Sequence, residues 1–169
     1  MEEMGVTRAR RGRNLRSILA IPLFLILLPV LVVVLPVYLL ARWAKGRVIV
    51  WGFRRTWGRQ GKVAVFVYSD SPNWKEYIET EVLPRIADRV VTLNWSQRAQ
   101  WTAPRSVEVR VFRHWSGDHA FNPMAIVVPH RGPVRTIRFW EAFRDFKHGK
   151  VESLRQQEQV LYESIQSAA

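Results

Sequence analysis

The chain has no cysteine, and its 169 residues include only 14 acidic side chains against 26 Lys and Arg. The absence of cysteine excludes disulfide bonds, thiolate catalysis and metal or haem sites built on cysteine, although it does not identify a compartment. The sequence also lacks a glycine loop of dinucleotide or P-loop spacing and a Gly-x-Ser-x-Gly elbow. Enzyme classes that depend on these features are therefore excluded.

Charge is absent from one long stretch. Residues 17–41, "SILAIPLFLILLPVLVVVLPVYLLA", contain no charged side chain. As an α-helix this stretch would reach about 37 Å, which exceeds the hydrocarbon core of about 30 Å. It is longer than a signal-peptide core, and no small-residue cleavage site follows it. We therefore expect a retained membrane segment, preceded by a basic tail at residues 1–16.

The net charge of +12 is concentrated around this segment. Residues 1–62 hold twelve Lys and Arg side chains and two glutamates, whereas residues 63–169 hold fourteen basic and twelve acidic side chains. Nucleic-acid-binding proteins usually carry such an excess on the folded domain, so we expect no nucleic acid as a partner. Cations that flank an apolar segment instead indicate contact with anionic lipid headgroups.

Two topologies are compatible with basic residues on both sides of the apolar run. Positive flanks favour the cytoplasm, so a spanning helix would place one cluster on the unfavoured side. Alternatively, Pro22, Pro29 and Pro36, which are spaced by seven and share one helix face, would allow a re-entrant hairpin that bends near Pro29. Because the larger cluster follows the run, we expect the C-terminal domain in the cytoplasm, at a bacterial inner membrane.

Residues 42–61 mix tryptophan with cations and predict a basic aromatic linker at the membrane interface. Repeated glycines argue against a regular helix in this linker. The alternative is that "VIVWGF" forms an edge strand of the folded domain. The side chains expected at lipid headgroups are Arg42, Lys45, Arg47, Arg54, Arg55 and Arg59.

Residues 62–169 predict a small α/β sandwich. "KVAVFVY" is typical of a central buried strand, and "VVTLNW" and "PMAIVVP" predict further strands. "VRTIRF" predicts a short strand or an extended piece. "SVEVRVF" alternates valine with charge and predicts a half-exposed edge strand. Helices are predicted over "NWKEYIETEVLPRIADR", which Pro84 kinks or splits, over "WEAFRDFKH", which ends at Gly149, and over "VESLRQQEQVLYESI".

The order of these elements over residues 62–167 resembles the thioredoxin-like fold. In that family the first strand runs into the active-site turn and a proline-kinked helix, and a proline precedes the strand that faces the turn. The matching features here are "SDSPNW", Pro84, and Pro123 in "FNPMAIVV". The link between the second and third strands leaves only marginal room for the family's intervening helix, and another small α/β sandwich is the alternative.

The resemblance implies a member of the family without redox activity. The family's chemistry needs a thiolate in the turn, and this turn offers only serine, aspartate and asparagine side chains. Serine hydroxyls cannot exchange disulfides.

The polar turn Ser69, Asp70, Ser71 and Asn73 follows the first strand, where α/β proteins often bind ligands. Serine or aspartate before Pro72 is also typical of a helix N-terminus, where a cap is worth about 1 kcal/mol. An Asp-x-Asp pair of the phosphotransferase type is absent, because Pro72 occupies its second position. We expect a helix cap or a ligand-binding turn here, and no catalytic residue.

The segment "HWSGDHAFN" is a second candidate, because His114, Asp118 and His119 are residue types of zinc sites and general bases. The two histidines are five residues apart with Gly117 between them, so no regular element presents both to one metal ion. We expect a polar loop, and neither a metal nor another cofactor.

The segment "FWEAFRDF" offers more aromatic surface than one helix face needs. Phe139, Trp140, Phe143 and Phe146 therefore form a candidate patch for a protein partner. The expected function is that of a membrane-anchored, non-catalytic adaptor or assembly subunit, which binds a partner through its membrane helix or this patch. The alternatives are a membrane-associated hydrolase or transferase that uses Asp70 or the histidine loop, and a sensor of anionic lipid surfaces.

Overall fold

The computed structural model describes residues 7–101, 106–117 and 122–168, with side chains from residue 29 onward within those ranges. The chain divides into two compact units, Met1–Lys45 and Gly46–Ala169. Helix α1 (Thr7–Thr56) runs through the first unit and ends in the second. All strands of the described chain belong to the second unit, which begins before the domain boundary expected at residue 62.

Helix α1 is one uninterrupted α-helix of 50 residues. Two of the alternatives are therefore wrong: the chain does not reverse near Pro29, and "VIVWGF" is part of a helix rather than a strand. Each proline removes only one intrahelical hydrogen bond, and the residues between the prolines supply the others. The stretch Pro29–Gln60 is long and apolar enough to cross a membrane, by length and composition alone.

Two glycines of α1 lie where it packs against α4 (Val107–Trp115). A Cβ atom at Gly46 would lie 3.0 Å from Nε2 of His114, and one at Gly52 would lie 3.2 Å from Cγ2 of Val107. Both distances are shorter than ordinary van der Waals contact. The glycines expected to prevent a helix therefore allow two helices to approach closely.

A four-stranded mixed sheet forms the centre of the second unit, in the order β2-β1-β3-β4. Its strands are β1 (Ala64–Tyr68), β2 (Val90–Asn94), β3 (Met124–Val127) and β4 (Arg135–Arg138). β1 pairs in parallel with β2, antiparallel with β3, and β3 pairs antiparallel with β4. The four strand predictions made from apolar runs are confirmed, and the two central strands are those buried on both faces.

The strand predicted over "SVEVRVF" is wrong, because this segment forms most of helix α4. Val107, Val109, Val111 and Phe112 are all buried. Residues 107 and 111 are four apart and residues 109 and 112 are three apart, so these side chains cover one broad helix face. The first three also recur with period two, and this explains the misleading strand pattern. α4 occupies the link between β2 and β3.

The predicted division at Pro84 is confirmed. The chain between β1 and β2 forms α2 (Lys75–Tyr77), a π-helical segment (Ile78–Val82) and α3 (Leu83–Ile86). Pro84 has no N–H group, so the carbonyl of Thr80 cannot receive its usual hydrogen bond from four residues ahead. The wider π-helical turn precedes this interruption.

Each face of the sheet carries its own apolar core, because successive side chains of β1 point to opposite faces. One core lies against α2, α3, α5 (Trp140–Lys147) and α6 (Val151–Ser167). The other lies against α4 and the end of α1. Residues of the second core include Ile49, Phe53, Val65, Phe112 and Ile126. The last turns of α1 therefore belong to the folded α/β domain.

Candidate functional site

The polar turn lies at the carboxyl ends of the two parallel strands, and hydrogen bonds tie it there. Nδ2 of Asn94 donates to Oδ1 of Asp70 over 3.0 Å, and Nζ of Lys75 lies 2.8 Å from the same oxygen. The backbone N–H of Asp70 donates to Oγ of Ser96 over 2.9 Å. Asp70 thus connects β1 both to the end of β2 and to the first residue of α2.

The remaining residues of the turn shape the approach to α2. The carbonyl of Ser71 accepts hydrogen bonds from the N–H groups of Trp74 and Lys75, at 3.3 and 3.0 Å. Oγ of Ser71 accepts one from the N–H of Asn73 over 3.4 Å, and Oγ of Ser69 accepts one from the Trp74 indole over 3.3 Å. Trp74 is the N-cap residue of α2 and gives it no side-chain cap. The expected capping of α2 by serine or aspartate is therefore not observed.

The hydrogen bond from Lys75, followed by that from Asn94, holds the pKa of Asp70 below its ordinary value. The same contact raises the pKa of Lys75. A general base works best with a pKa near the operating pH, so this carboxylate is poorly suited to proton abstraction. Its bonding suits a residue that holds a turn in place.

Only His114 of the histidine loop can be placed, since Asp118 and His119 lie outside the described residues. The ring of His114 lies 4.4 Å from that of Trp115, centroid to centroid, and its Nε2 lies beside Gly46. Within the described ranges, no group of three or more histidine and carboxylate side chains could hold a metal ion. His114 therefore takes part in the contact between α4 and α1.

The four aromatic residues predicted to form a partner-binding patch differ in their exposure. Phe139 and Phe143 are 1% and 3% exposed and belong to a core, and Phe146 packs against the same core. Trp140, at 39%, is exposed. Their spacing on α5 turns the phenylalanines toward the sheet, so they do not form a continuous exposed surface.

A pocket nevertheless lies beside Trp140, and we term it the aromatic–basic pocket. Its volume is about 230 Å³. The residues that line it are Asn73, Trp74, Trp140, Phe143, Arg144, Lys147 and His148. Sequence reasoning missed this pocket because its walls come from the polar turn and from α5, which are far apart along the chain.

A second pocket, of about 420 Å³, also has Trp74 in its lining. We term it the acidic pocket, because its lining includes Glu76 and Glu81. Asn73 and Trp74 contribute to both pockets. Two neighbouring depressions of opposite charge therefore share one wall.

The candidate headgroup-binding residues differ in exposure. Arg42, Lys45, Arg47, Arg55 and Arg59 are exposed. Arg54 is partly buried and donates a hydrogen bond to the carbonyl of Pro129, so it belongs to the domain. The guanidinium of Arg55 lies 5.3 Å from the ring centre of Trp51, which is 62% exposed. An exposed aromatic with an adjacent cation is suited to a lipid headgroup region.

Three tyrosines stay protonated at neutral pH. Burial, followed by its hydrogen bond to Glu79, raises the pKa of Tyr68 to about 12. Burial, followed by a hydrogen bond to Glu158, raises the pKa of Tyr77 to about 12. Burial also raises the pKa of Tyr162. The phenols of Tyr68 and Tyr77 donate hydrogen bonds to glutamates, and a raised pKa does not suit any of the three phenols to act as a nucleophile.

Comparisons of the chain with protein-family models, with curated proteins and with solved structures find no match. Its function is therefore inferred from its own geometry and chemistry.

Proposed function

We propose that this chain is a membrane-anchored, non-catalytic binding protein, an adaptor or assembly subunit whose α/β domain lies on the cytoplasmic face. One observation carries the proposal. Large apolar side chains from Val30 to Leu40 on α1 are between 46% and 65% exposed. They point in all directions around the helix, and soluble monomers rarely expose apolar surface this extensive. A lipid bilayer would cover it.

A thioredoxin-like domain without redox chemistry is part of the proposal. Several features support it: the turn that follows β1, the helix interrupted by a π-helical segment before Pro84, and the position of Pro123 just before β3. Helix α4 lies between β2 and β3, at the position of the family's intervening helix. The sequence had left little room for such a helix. With no cysteine in the chain, such a domain would retain binding surfaces and lack thiol chemistry.

The bonding of Asp70 supports the non-catalytic part of the proposal. Its carboxylate is bonded by Lys75 and Asn94 and has a lowered pKa. The competing proposal is an enzyme that uses this group. If the chain is a binding protein, Asp70→Asn leaves its cellular phenotype unchanged in a folded, membrane-located variant. Complete loss of the phenotype in such a variant would favour the enzyme.

Membrane attachment is tested by flotation with liposomes and by alkaline carbonate extraction of membranes. We expect the full chain to float and to resist extraction. A chain that stays monodisperse in buffer without detergent and washes off membranes would contradict the anchor.

Orientation is tested with single cysteines, which the cysteine-free chain makes straightforward. Gly5→Cys lies in the basic tail, and Ser167→Cys lies at an exposed position near the end of α6. We expect a membrane-impermeant thiol reagent to reach the two positions from opposite sides, with position 167 protected in intact cells. Labelling of position 167 from outside would contradict the cytoplasmic location.

Sensing of anionic lipid surfaces is a second candidate, favoured by the exposed Trp51 and Arg55. It predicts that retention on anionic vesicles depends on these residues and weakens at high salt, because exposed charges are screened. If retention on anionic vesicles depends neither on Trp51 and Arg55 nor on the salt concentration, only the anchoring role of α1 remains.

A further inference from the structure

We propose that the aromatic–basic pocket binds an acidic peptide segment of a protein partner, with one aromatic side chain of that segment as its anchor. This inference deepens the proposed adaptor function, on which it rests, by specifying the chemistry of the partner. It is carried by the side chains that meet in the pocket.

The walls of the pocket suit an aromatic anchor. The ring of Trp74 lies 5.6 Å from that of Trp140 in an edge-to-face arrangement, and 6.1 Å from that of Phe143. Phe143 is buried, whereas Trp140 is partly exposed and so accessible to a ligand. The volume of about 230 Å³ is below the roughly 300 Å³ at which drug-sized pockets begin. The cavity therefore fits one side chain rather than a whole cofactor.

The charges around the pocket suit carboxylates. Arg144 and Lys147 lie three residues apart on α5, and His148 follows. None of the described residues that line the pocket is acidic. Asp145 lies 3.8 Å from Nε of Arg144 and offsets part of this charge. Two permanent cations beside aromatic walls favour a ligand that combines an aromatic ring with neighbouring carboxylates.

The acidic pocket attracts the opposite charge to a neighbouring site. Glu76 and Glu81 lie beyond the shared wall of Asn73 and Trp74. A basic segment with an aromatic anchor would meet repulsion from Arg144 and Lys147 in one pocket and attraction in the other. The pair of pockets therefore separates peptides by the sign of their charge.

The test uses the full chain, labelled with ¹⁵N, in micelles of a zwitterionic detergent. The probe is the peptide acetyl-Asp-Glu-Phe-Glu-Asp-amide, and binding is followed through the indole N–H signals of Trp74 and Trp140. We expect saturable shifts of both signals. Replacing the phenylalanine of the probe by alanine should weaken binding by about tenfold, because a central aromatic contributes most of the affinity of such contacts. Flanking it with lysines instead should abolish the shift of the Trp140 signal, because Trp140 lines the aromatic–basic pocket and not the acidic pocket.

Matched variants separate the pocket from general charge. Arg144→Gln combined with Lys147→Gln should weaken binding about two- to tenfold, in the range of exposed charge pairs. Lys150→Gln removes the same kind of charge just outside the pocket, and it should change the affinity by less than about twofold. All three side chains are exposed, so the variants should keep the fold, which the unshifted remainder of the spectrum checks.

Three results would overturn the proposal. They are no saturable shift with the acidic probe, equal shifts of the Trp140 signal with the acidic and lysine-flanked peptides, and an effect of the paired variant no larger than that of Lys150→Gln. If the paired variant instead weakens only the retention of the chain on anionic vesicles, the cations contact lipid and the peptide site is also wrong. Because the probe experiment needs no bilayer, its failure is distinguishable from failure of the membrane anchor.

Discussion

Two stretches of helix α1 differ in apolar content and in surroundings: ten of the eleven residues from 30 to 40 are apolar, against five of the eleven from 46 to 56. Between Val30 and Leu40 the large side chains are exposed on all sides of the helix, whereas between Gly46 and Thr56 one face is buried in the domain and the other is exposed. An all-round apolar helix needs an all-round apolar environment, and a one-faced helix needs only a sheet or another helix. Both the number of apolar residues and their distribution around the axis distinguish the proposed anchor from the domain helix.

The largest effect is expected for substitutions in the first stretch, and it concerns the retention of the chain in membranes. Val30→Lys combined with Val34→Lys should move the chain from the membrane to the extractable fraction, because each lysine near the centre of a membrane helix costs about 2.5–3.5 kcal/mol. Carbonate extraction measures the change. The control is Val48→Lys, at an exposed position of the second stretch, which should remain membrane-bound. Retention of the double variant would remove the distinction between the stretches.

The next effect tests the buried face of the second stretch. Phe53 is 0% exposed, so Phe53→Ala should lower the free energy of unfolding by about 3–5 kcal/mol. Its neighbour Trp51 is exposed, and Trp51→Ala should change the free energy of unfolding by no more than about 0.5 kcal/mol. Denaturant unfolding of the full chain in micelles, followed by circular dichroism, measures both. Equal effects would show that the two helix faces do not differ.

A smaller effect tests the glycine contact between α1 and α4. Gly46→Leu should be destabilising by about 1–3 kcal/mol through overpacking against His114, partly offset by a gain in helix propensity of about 1 kcal/mol. Ala44→Leu, at an exposed position of the same helix, should not be destabilising. The same unfolding measurement applies. A stabilised Gly46→Leu variant would mean that the close approach of α1 and α4 does not contribute to the stability of the domain.

The smallest effect concerns the polar turn and its pH dependence. The pKa of Asp70 is lowered in the folded state, so its contribution to stability is present above the ordinary aspartate pKa and is lost as pH falls through the lowered value. Asn94→Ala removes one hydrogen bond to the carboxylate and should raise its pKa toward the ordinary value. NMR titration of the Asp70 carboxyl carbon measures this shift. Asn73→Ala, which removes no bond to Asp70, should leave it unchanged.

Local patterns were sufficient for most of the sheet. Apolar runs rich in β-branched residues predicted β1 and β3 because strands covered on both faces need no polar positions. The division of the helix at Pro84 was also predictable, since proline lacks the N–H that a helix requires. Both features depend on the residues of one segment alone.

Other features depend on which segments meet. The valines at 107, 109 and 111 satisfy a strand period and a helix face equally well, and packing on the sheet selected the helix. The glycines of α1 were ambiguous for the same reason, because a glycine that weakens an isolated helix also permits close packing of two. The aromatic–basic pocket could not be predicted, because Trp74 and Trp140 belong to distant parts of the chain.

The amino-acid sequence by itself determined an uncharged apolar run bounded by cations, four strands and a chain without thiol chemistry. These properties follow from composition and short-range periodicity, which every segment carries with it. Tertiary structure alone decided that α1 enters the domain, that residues 107–115 are helical, and that aromatic and basic side chains meet beside the polar turn. Such properties arise from contacts between segments far apart along the chain, where burial outweighs local preference.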